Sequence, residues 1–317
     1  MNLSYYQFLI LQYLAANQKI TLTHRQISDD LMISNTLIMR EMEKLEESGL
    51  VDNAAHLTDD GLAALAQYKV KRAVILAAGF GSRMKPATAD RPKPMVKVNG
   101  KYIISTLIDA LLAAGVTDIT IVRGYKKVKF DELLSLYPDI HFIDNDEYDR
   151  YNNISSAVLA KDVFKDGCYL CEADLYISNP GIITPYQYRS NILGSWSIET
   201  DDWNFKMDDE GMISHYQKGN TYCWNYYGIS YWIPEDCEKL NHDWAEIFAT
   251  DEGKDVFWEQ IPLQLKQKDY RVAVRPCHKQ DIMEIDNYYE LQQLDSSYED
   301  SNLSDETSNA PAGLSKS

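Results

Sequence analysis

The sequence predicts an α/β protein with a mixed, mainly parallel sheet, preceded by a small helical domain. Two patterns lead to this prediction. Residues 1–70 carry apolar side chains at helical spacing, whereas from Lys71 to about residue 175 short apolar strands alternate with helix-like segments. Such alternation is typical of a parallel sheet that is covered by helices. The 317 residues, 45% of them apolar, suffice for two domains of this kind.

The first 70 residues resemble a winged helix-turn-helix domain. Thr23 and Ser34 provide capping side chains for the second and third helices, and segment 57–61 matches the hairpin and the start of a last helix. Five basic against nine acidic residues give this region a charge of −4, so its third helix would meet DNA phosphates poorly. We therefore favour dimerisation or regulation, including a homodimer, and DNA binding stays open as the alternative.

Residues 71–294 are expected to form the second domain. Its predicted elements are strands at 73–78, 118–122 and 168–174, helices near 102–114 and 153–164, and an aromatic antiparallel extension between about 190 and 232. Residues 295–317 contain five acidic residues and one lysine without apolar periodicity, which predicts a disordered acidic tail.

Composition narrows the function classes. The 48 acidic and 31 basic residues give a net charge of −17, which disfavours an extended surface for nucleic acid or anionic membrane. No run approaches the roughly 18 to 20 apolar residues of a membrane helix, and the N-terminus lacks signal-peptide features, so we expect a cytoplasmic protein. The five cysteines are odd in number, and Cys168 and Cys171 lie in a strand-like run, which predicts reduced, buried thiols.

A glycine-rich loop directly follows the first apolar strand. Gly79 and Gly81 let backbone N–H groups approach a phosphate closely, and Arg83 adds a planar cation. A dinucleotide-binding fingerprint would need glycine at position 84, which is Met84, and a P-loop would need Gly-Lys-Ser/Thr, so neither template fits. Further along, a Pro-Lys-Pro segment presents Lys93 as a second cation.

The loop and the Pro-Lys-Pro segment together resemble the signature of sugar-phosphate nucleotidyltransferases. The resemblance implies a Rossmann-like nucleotidyltransferase domain, in which an anionic phosphate attacks the α-phosphorus of a nucleoside triphosphate and pyrophosphate leaves. It assigns Arg83 and Lys93 to gripping the triphosphate and stabilising charge on the reacting phosphorus. Alignment and cations suffice for such a reaction, because the attacking phosphate is already anionic near neutral pH.

Two aspartates follow apolar strand-like segments. Asp174 ends the run that begins at Cys168, and Asp286 follows an apolar-alternating stretch. The resemblance implies that both aspartates hold Mg²⁺ and that Asp174 is catalytic together with Arg83 and Lys93. Carboxylate oxygens at strand ends suit this ion and this place in an α/β sheet. The alternative for each aspartate is a helix N-cap or a loop acid.

Six shorter strings resemble one branch, the bacterial CTP:phosphocholine cytidylyltransferases, over residues 72–294. They are residues 78–83, 151–153, 172–174, 202–203, 257–259 and 284–286. The resemblance implies CTP and phosphocholine as substrates and CDP-choline as product. The nucleotide contacts it implies are Leu76, Ala77, Ala78, Gly79, Phe80, Gly81, Ser82, Arg83, Lys93, Gly124, Tyr125, Asn153, Ser156 and Asp174. For Asn153 a helix N-cap is the alternative.

A quaternary ammonium has no N–H to donate, so its recognition depends on aromatic faces and nearby carboxylates. The choline-binding residues predicted here are Trp203, Tyr227, Trp258, Glu259 and Glu284. Members of the branch carry Asp where this chain has Glu259, and the alternative for the aromatics is core packing. Two other functions stay open: a nucleotidyltransferase for phosphoethanolamine or a sugar 1-phosphate with CTP or UTP, and a winged-helix transcription regulator that senses CTP or CDP-choline.

Overall fold

The computed structural model describes residues 2–18, 20 and 22–299. Its α-helices are Tyr5–Ala16 (α1), His24–Leu31 (α2), Asn35–Glu47 (α3), Asp59–Ala66 (α4), Ile103–Ala113 (α5), Ile154–Leu159 (α6), Pro234–Phe248 (α7) and Tyr288–Leu294 (α8). Its strands are Arg72–Ala77 (β1), Lys97–Val98 (β2), Lys101–Tyr102 (β3), Asp118–Arg123 (β4), His141–Asp144 (β5), Cys168–Glu172 (β6), Leu175–Ile177 (β7), Asn191–Met207 (β8), Ile213–Trp232 (β9), Ala273–Pro276 (β10) and Ile282–Glu284 (β11). None of the helices in the described part of the chain combines the length and apolarity needed to cross a membrane.

The main sheet has seven strands in the order β10-β8-β9-β6-β1-β4-β5. Strands β6, β1, β4 and β5 are parallel, and β9 runs antiparallel to both β6 and β8. This arrangement confirms the predicted mixed, mainly parallel sheet. The short pair β7–β11 lies outside this sheet and brings the segment before Asp286 close to the end of β6.

Both faces of the central strand are buried, as expected for a parallel sheet between helices. Ala73 and Ile75 belong to one core with the side chains of α5, whereas Val74 belongs to the other core with α6 and α7. The alternation places successive β1 side chains on opposite faces. The strand is thereby fixed from both sides, and its carboxyl end delivers the glycine-rich loop to the edge of the sheet.

Strands β8 and β9 form a long hairpin that folds back on itself. Thr200 pairs with Asn220 and Trp203 with Lys218, so the ladder skips two residues of β8. Beyond this irregularity, Phe205 pairs with β9 at two places, Tyr216 and Trp224. The aromatic 190–232 segment is therefore antiparallel, as predicted, and its fold-back brings residues from distant parts of the hairpin together.

The N-terminal helices have a core of their own. Thr23 and Ser34 cap α2 and α3 through their side chains, as predicted, and Val51 and Leu57 form a β-bridge before α4. The helices pack onto the segment that precedes β8, where the rings of Tyr68 and Tyr188 stack 5.4 Å apart. The described elements of this region are thus three helices, a bridge and a fourth helix, attached to the larger domain by aromatic contacts.

The start of the predicted tail is packed, so the boundary at residue 295 is wrong. A 3₁₀ turn at Ser296–Tyr298 follows α8, and the Tyr298 hydroxyl donates a 2.7 Å hydrogen bond to the Lys97 carbonyl. Asp295 accepts a hydrogen bond from the backbone N–H of Asn99 at 2.6 Å. The second domain therefore extends at least to residue 299, and residues 300–317 of the predicted tail lie outside the described residues.

Candidate active site

The glycine-rich loop lies against the Lys93 segment. Gly81 adopts a left-handed conformation (φ +59°), and a Cβ at this position would lie 2.5 Å from the Cβ of Lys93. Only glycine accommodates both this φ and this approach. The Gly81 carbonyl also accepts a 3.1 Å hydrogen bond from the Thr88 hydroxyl. Two motifs that are separate in sequence therefore form one surface.

Lys93 lies between the two predicted aspartates. Its Nζ is 3.0 Å from Asp174 Oδ2 and 3.3 Å from Asp286 Oδ1, and Arg83 Nη2 donates to the same Asp286 oxygen at 2.8 Å. Lys93 is buried, and burial alone would lower its pKa. The neighbouring carboxylates Asp174, Glu284 and Asp286 outweigh burial and raise the pKa above its usual value, so the ammonium stays charged.

Helix α8 does not use Asp286 as its N-cap. Asn287 occupies that position, and its side chain accepts a hydrogen bond from the Glu290 backbone N–H at 3.0 Å. Asp286 instead points to Lys93 and Arg83. The N-cap alternative raised from the sequence is therefore excluded for Asp286.

The carboxylates around Lys93 have the chemistry of a site for a hard divalent cation. Asp174 and Asp286 both contact the Lys93 ammonium, at 3.0 and 3.3 Å. Carboxylate oxygens of Asp202, Glu284 and Asp286 also lie within 4.8 Å of one another. Oxygen donors of this kind suit Mg²⁺. The sequence did not place Asp202 in this group, because only the fold-back of β8 brings it to β11.

The predicted loop contacts gather at the carboxyl ends of β1 and β4. Phe80 packs its ring 5.3 Å from Tyr125 and 5.2 Å from Tyr148. A Cβ on Gly124 would lie 2.7 Å from Tyr148 and 2.9 Å from Ala78, so glycine allows the two strand ends to meet. Gly79, Phe80 and Ser82 are exposed, whereas the side chains of Leu76, Ala77 and Ala78 are buried. The buried three can offer a ligand only their backbone atoms.

Ser156, a predicted nucleotide contact, is engaged by a neighbouring side chain in this structure. It is buried, and its hydroxyl accepts a 3.0 Å hydrogen bond from the Asn145 amide. Asn153 makes no capping hydrogen bond to α6, and its Oδ1 accepts one from the Trp258 backbone N–H at 2.8 Å. These two residues connect α6 to its neighbours in this structure.

Glu172, at the end of β6, is a site residue to which the sequence analysis gave no role. A Cβ on Gly228 would lie 2.3 Å from Glu172 Oε2, so only glycine on β9 leaves room for this carboxylate. Burial raises the pKa of Glu172 well above its usual value, and the nearby Glu259, Asp174 and Glu284 raise it further. The string 172–174 was selected as a motif in the sequence, and it was the available signal for Glu172.

Glu259 and Glu284 complete a cluster of acids in an environment that disfavours negative charge. Glu259 is buried, which raises its pKa to about 7, and burial raises the pKa of Glu284 to about 8. A nearby cation would restore the charged form of such carboxyl groups. The arrangement therefore fits a ligand that carries a positive charge.

Three aromatic rings adjoin these acids. Trp203 stacks on Tyr216 with ring centroids 4.9 Å apart, and Tyr216 meets Tyr226 edge-on at 5.5 Å. The Tyr216 hydroxyl donates to Glu259 Oε1 at 3.4 Å. Trp203, which the sequence selected, is half-buried, and its partners Tyr216 and Tyr226 depend on the fold-back of the hairpin.

Trp258 and Tyr227 do not join this cluster, so their prediction as cage members is wrong for this structure. Trp258 is fully buried and packs edge-on against Trp232 and Trp244, each at 6.1 Å. Tyr227 follows Tyr226 on β9 and so points to the opposite face of the sheet, where its hydroxyl lies 3.1 Å from that of Ser195. Core packing, the alternative for these aromatics, is what the structure shows.

Comparison with known proteins agrees with this geometry. A model of the MobA-like NTP transferase domain matches residues 73–184. The 2-aminoethylphosphonate cytidylyltransferase of Lancefieldella rimae is 37% identical over 228 residues, which are 71% of this chain and 92% of that protein. The choline-phosphate cytidylyltransferase of Streptococcus pneumoniae is 30% identical over 231 residues, 71% of this chain and 96% of that protein.

A solved structure supports the same assignment. The CTP:phosphocholine cytidylyltransferase from Streptococcus pneumoniae superimposes with a TM-score of 0.66 at 28% identity, over 72% of this chain and 99% of that one. These matches confirm the nucleotidyltransferase predicted from the glycine-rich loop and Lys93. The chain belongs to the cytidylyltransferase family of nucleotidyltransferases.

Proposed function

We propose that this protein transfers the cytidylyl group of CTP to the phosphate or phosphonate of a small acceptor that also carries a cationic amine. One observation carries the proposal: the cations Arg83 and Lys93 lie beside a cluster of buried acids and aromatic rings. The cations suit the anionic end of such an acceptor, and the acids and rings suit its cationic end.

The chemistry follows from the charges. An oxygen of the acceptor attacks the α-phosphorus of CTP, the bond to the bridging oxygen of pyrophosphate breaks, and pyrophosphate leaves. Lys93, kept charged by its carboxylate neighbours, and Arg83 stabilise the negative charge on the reacting phosphates. Mg²⁺ held by Asp174 and Asp286 would add neutralisation of the phosphate oxygens.

Two compounds are candidates for the acceptor. The relatives include enzymes named for 2-aminoethylphosphonate and for choline phosphate, and both compounds combine an anionic head with a cationic nitrogen. Phosphocholine is the acceptor expected from the sequence, and the Trp203 face supports it through cation–π attraction. A sugar 1-phosphate offers no cation to the acids Glu172, Glu259 and Glu284.

The test is pyrophosphate release with CTP or UTP, each paired with 2-aminoethylphosphonate, phosphocholine and glucose 1-phosphate. We expect turnover with CTP and the amine-bearing acceptors, loss of turnover on chelation, and recovery with Mg²⁺. Turnover confined to glucose 1-phosphate, or to UTP, would contradict the proposal. The Lys93→Met variant serves as the inactive control for contaminating enzymes.

A further inference from the structure

Two polar atoms in the acid and aromatic cluster are buried without a hydrogen-bond partner among the described residues. They are Glu259 Oε2 and the hydroxyl oxygen of Tyr226. Glu259 is only 3% exposed, and its other oxygen accepts the bond from Tyr216. Buried polar atoms in proteins are nearly always paired, so unpaired ones in such a cluster indicate a missing ligand.

The two atoms belong to one cluster of side chains. Tyr216 contacts both residues, since its ring packs against Tyr226 and its hydroxyl bonds Glu259. Glu172 approaches from β6 across Gly228, and the charges of Glu172 and Glu259 both act on the Tyr226 hydroxyl. The cluster therefore offers hydrogen-bond acceptors and carboxyl groups that a bound cation would ionise, with Trp203 beside it.

A ligand that satisfies such acceptors must donate hydrogen bonds. A primary ammonium brings three N–H donors together with its positive charge, whereas a quaternary ammonium brings the charge alone. Binding a quaternary ammonium would leave Glu259 Oε2 and the Tyr226 hydroxyl unpaired and shut off from water. Sites that hydrogen-bond a substrate group discriminate strongly against analogues that lack it.

We propose that the cluster around Glu259 and Tyr226 selects acceptors that carry a primary ammonium over those that carry a quaternary ammonium. The inference rests on the proposed function and names its acceptor class. It favours an aminoethyl phosphonate or phosphate over phosphocholine, the acceptor expected from the sequence.

The test is a methylation series at one nitrogen. Phosphoethanolamine, its N-methyl and N,N-dimethyl derivatives and phosphocholine differ at the nitrogen alone, where each step replaces one N–H donor by a methyl group. We expect kcat/KM with CTP to fall at each step, by about 100-fold over the series, and calorimetric affinity for the acceptors to follow the same order. A comparison of phosphoethanolamine with 2-aminoethylphosphonate measures the effect of the bridging oxygen separately.

Equal or better use of phosphocholine would overturn the inference while leaving the proposed cytidylyl transfer intact. Absence of turnover with every acceptor would instead contradict the proposed function. In that case the calorimetric series still decides the inference, since it needs no chemistry: an affinity that does not fall with methylation overturns it.

Tyr226→Phe removes one unpaired acceptor without changing charge. We expect kcat/KM for phosphoethanolamine to fall about 10-fold more than that for phosphocholine. Tyr222→Phe makes the same change at an exposed position of the same strand and should leave the ratio between the two acceptors as it is. An equal loss for both acceptors, with an unchanged unfolding temperature, would contradict the role of Tyr226 in selection.

Discussion

Lys93 is a buried cation at which carboxylates of the candidate site converge. It bonds Asp174 and Asp286 from a buried position, whereas Arg83 reaches Asp286 from solvent with 70% of its side chain exposed. We expect Lys93→Met to lower kcat by about 100-fold or more, because it removes a fixed cation from the reacting phosphates. It should also lower the unfolding temperature, since two neighbouring carboxylates lose their shared partner.

Arg83→Ala is the variant to compare with Lys93→Met. It should also lower kcat, but it should leave the unfolding temperature nearly unchanged, because an exposed ion pair contributes little to stability. Steady-state pyrophosphate release and thermal unfolding measure both quantities. Full activity in either variant would contradict the assignment of that cation to the triphosphate.

Glu259 should make acceptor binding depend on pH. Burial raises its pKa from 4.5 to about 7 despite hydrogen bonds from Asn153 and Tyr216. A cationic acceptor favours the ionised carboxylate, so affinity should rise as the pH rises through about 7. The stability of the fold should change in the opposite direction. Between pH 4.5 and about 7 the Glu259 carboxyl group is protonated in the folded protein and ionised in the unfolded chain, so its contribution to stability falls as the pH rises through that window.

The measurement is the Kd of phosphoethanolamine by calorimetry across about pH 6 to 8. Glu259→Gln should bind more weakly and with a flatter profile than the native protein. The acceptor's own titration is common to both proteins, so the difference between the two profiles isolates Glu259 from it and from the nearby Glu172. Parallel profiles would show that Glu259 does not titrate in this range.

Arg83, Lys93, Asp174 and Asp286 could be selected from the sequence, because motifs at strand ends arrive at the same edge of a parallel sheet. Tyr216 could not, since its place beside Trp203 depends on the fold-back of β8 and β9. Trp258 was misplaced because its position beside an acid says nothing about which way its ring points.

Among the elements, the glycine-rich loop depends most on one residue. Gly81→Ala would combine an unfavourable φ with a clash against the Lys93 Cβ. We expect kcat to fall at least about 10-fold, because a small displacement of Lys93 spoils its alignment. Gly100→Ala is the control: its φ is +84° but its Cβ meets nothing within 4 Å.

Both glycine variants should lose about 1 to 3 kcal/mol of stability from backbone strain. Only Gly81→Ala should lose turnover beyond what this destabilisation explains. Thermal unfolding and kcat of the two variants, measured side by side, separate the strain from the contact. Equal kcat in both variants would show that the loop does not position Lys93.

Helix α3 is poorly suited to DNA. Its basic side chains Arg40 and Lys44 both pair with Glu41, at 3.0 and 2.9 Å, and the exposed surface of the helix includes Glu43 and Glu47. We expect no mobility shift of duplex DNA at about 0.15 M salt. A salt-dependent shift that Arg40→Ala weakens would establish the DNA-binding alternative.

Strands β1, β4 and β6 and helices α5 and α6 of the second domain were predictable, because continuous apolar runs such as that of β1 are buried on both faces and leave a clear pattern. The folded-back hairpin of β8 and β9 was predictable only as an antiparallel region. Its register skips residues between Thr200 and Trp203, and such irregularities depend on contacts between distant residues.

At the scale of the whole molecule, the N-terminal helices and the candidate site lie at opposite ends of β1. The helices join the chain just before Arg72, and the six residues of β1 carry it about 20 Å to the glycine-rich loop. Tyr188 contributes to the contact between the domains, since it packs against Phe8 and Tyr68 and donates a hydrogen bond to the Leu3 carbonyl at 3.0 Å.

Tyr188→Ala should therefore weaken the attachment of the helices without disturbing the chemistry. We expect the helical domain to unfold at a lower temperature, as a separate calorimetric transition, because the variant loses aromatic packing on the order of 2 to 3 kcal/mol. Tyr188→Phe keeps the ring contacts and loses only the hydrogen bond to Leu3, so it should cost about 1 kcal/mol and shift the profile less. If kcat with CTP fell in parallel with the loss of docking, the two ends of β1 would be coupled, and the N-terminal domain would regulate the transferase through this contact.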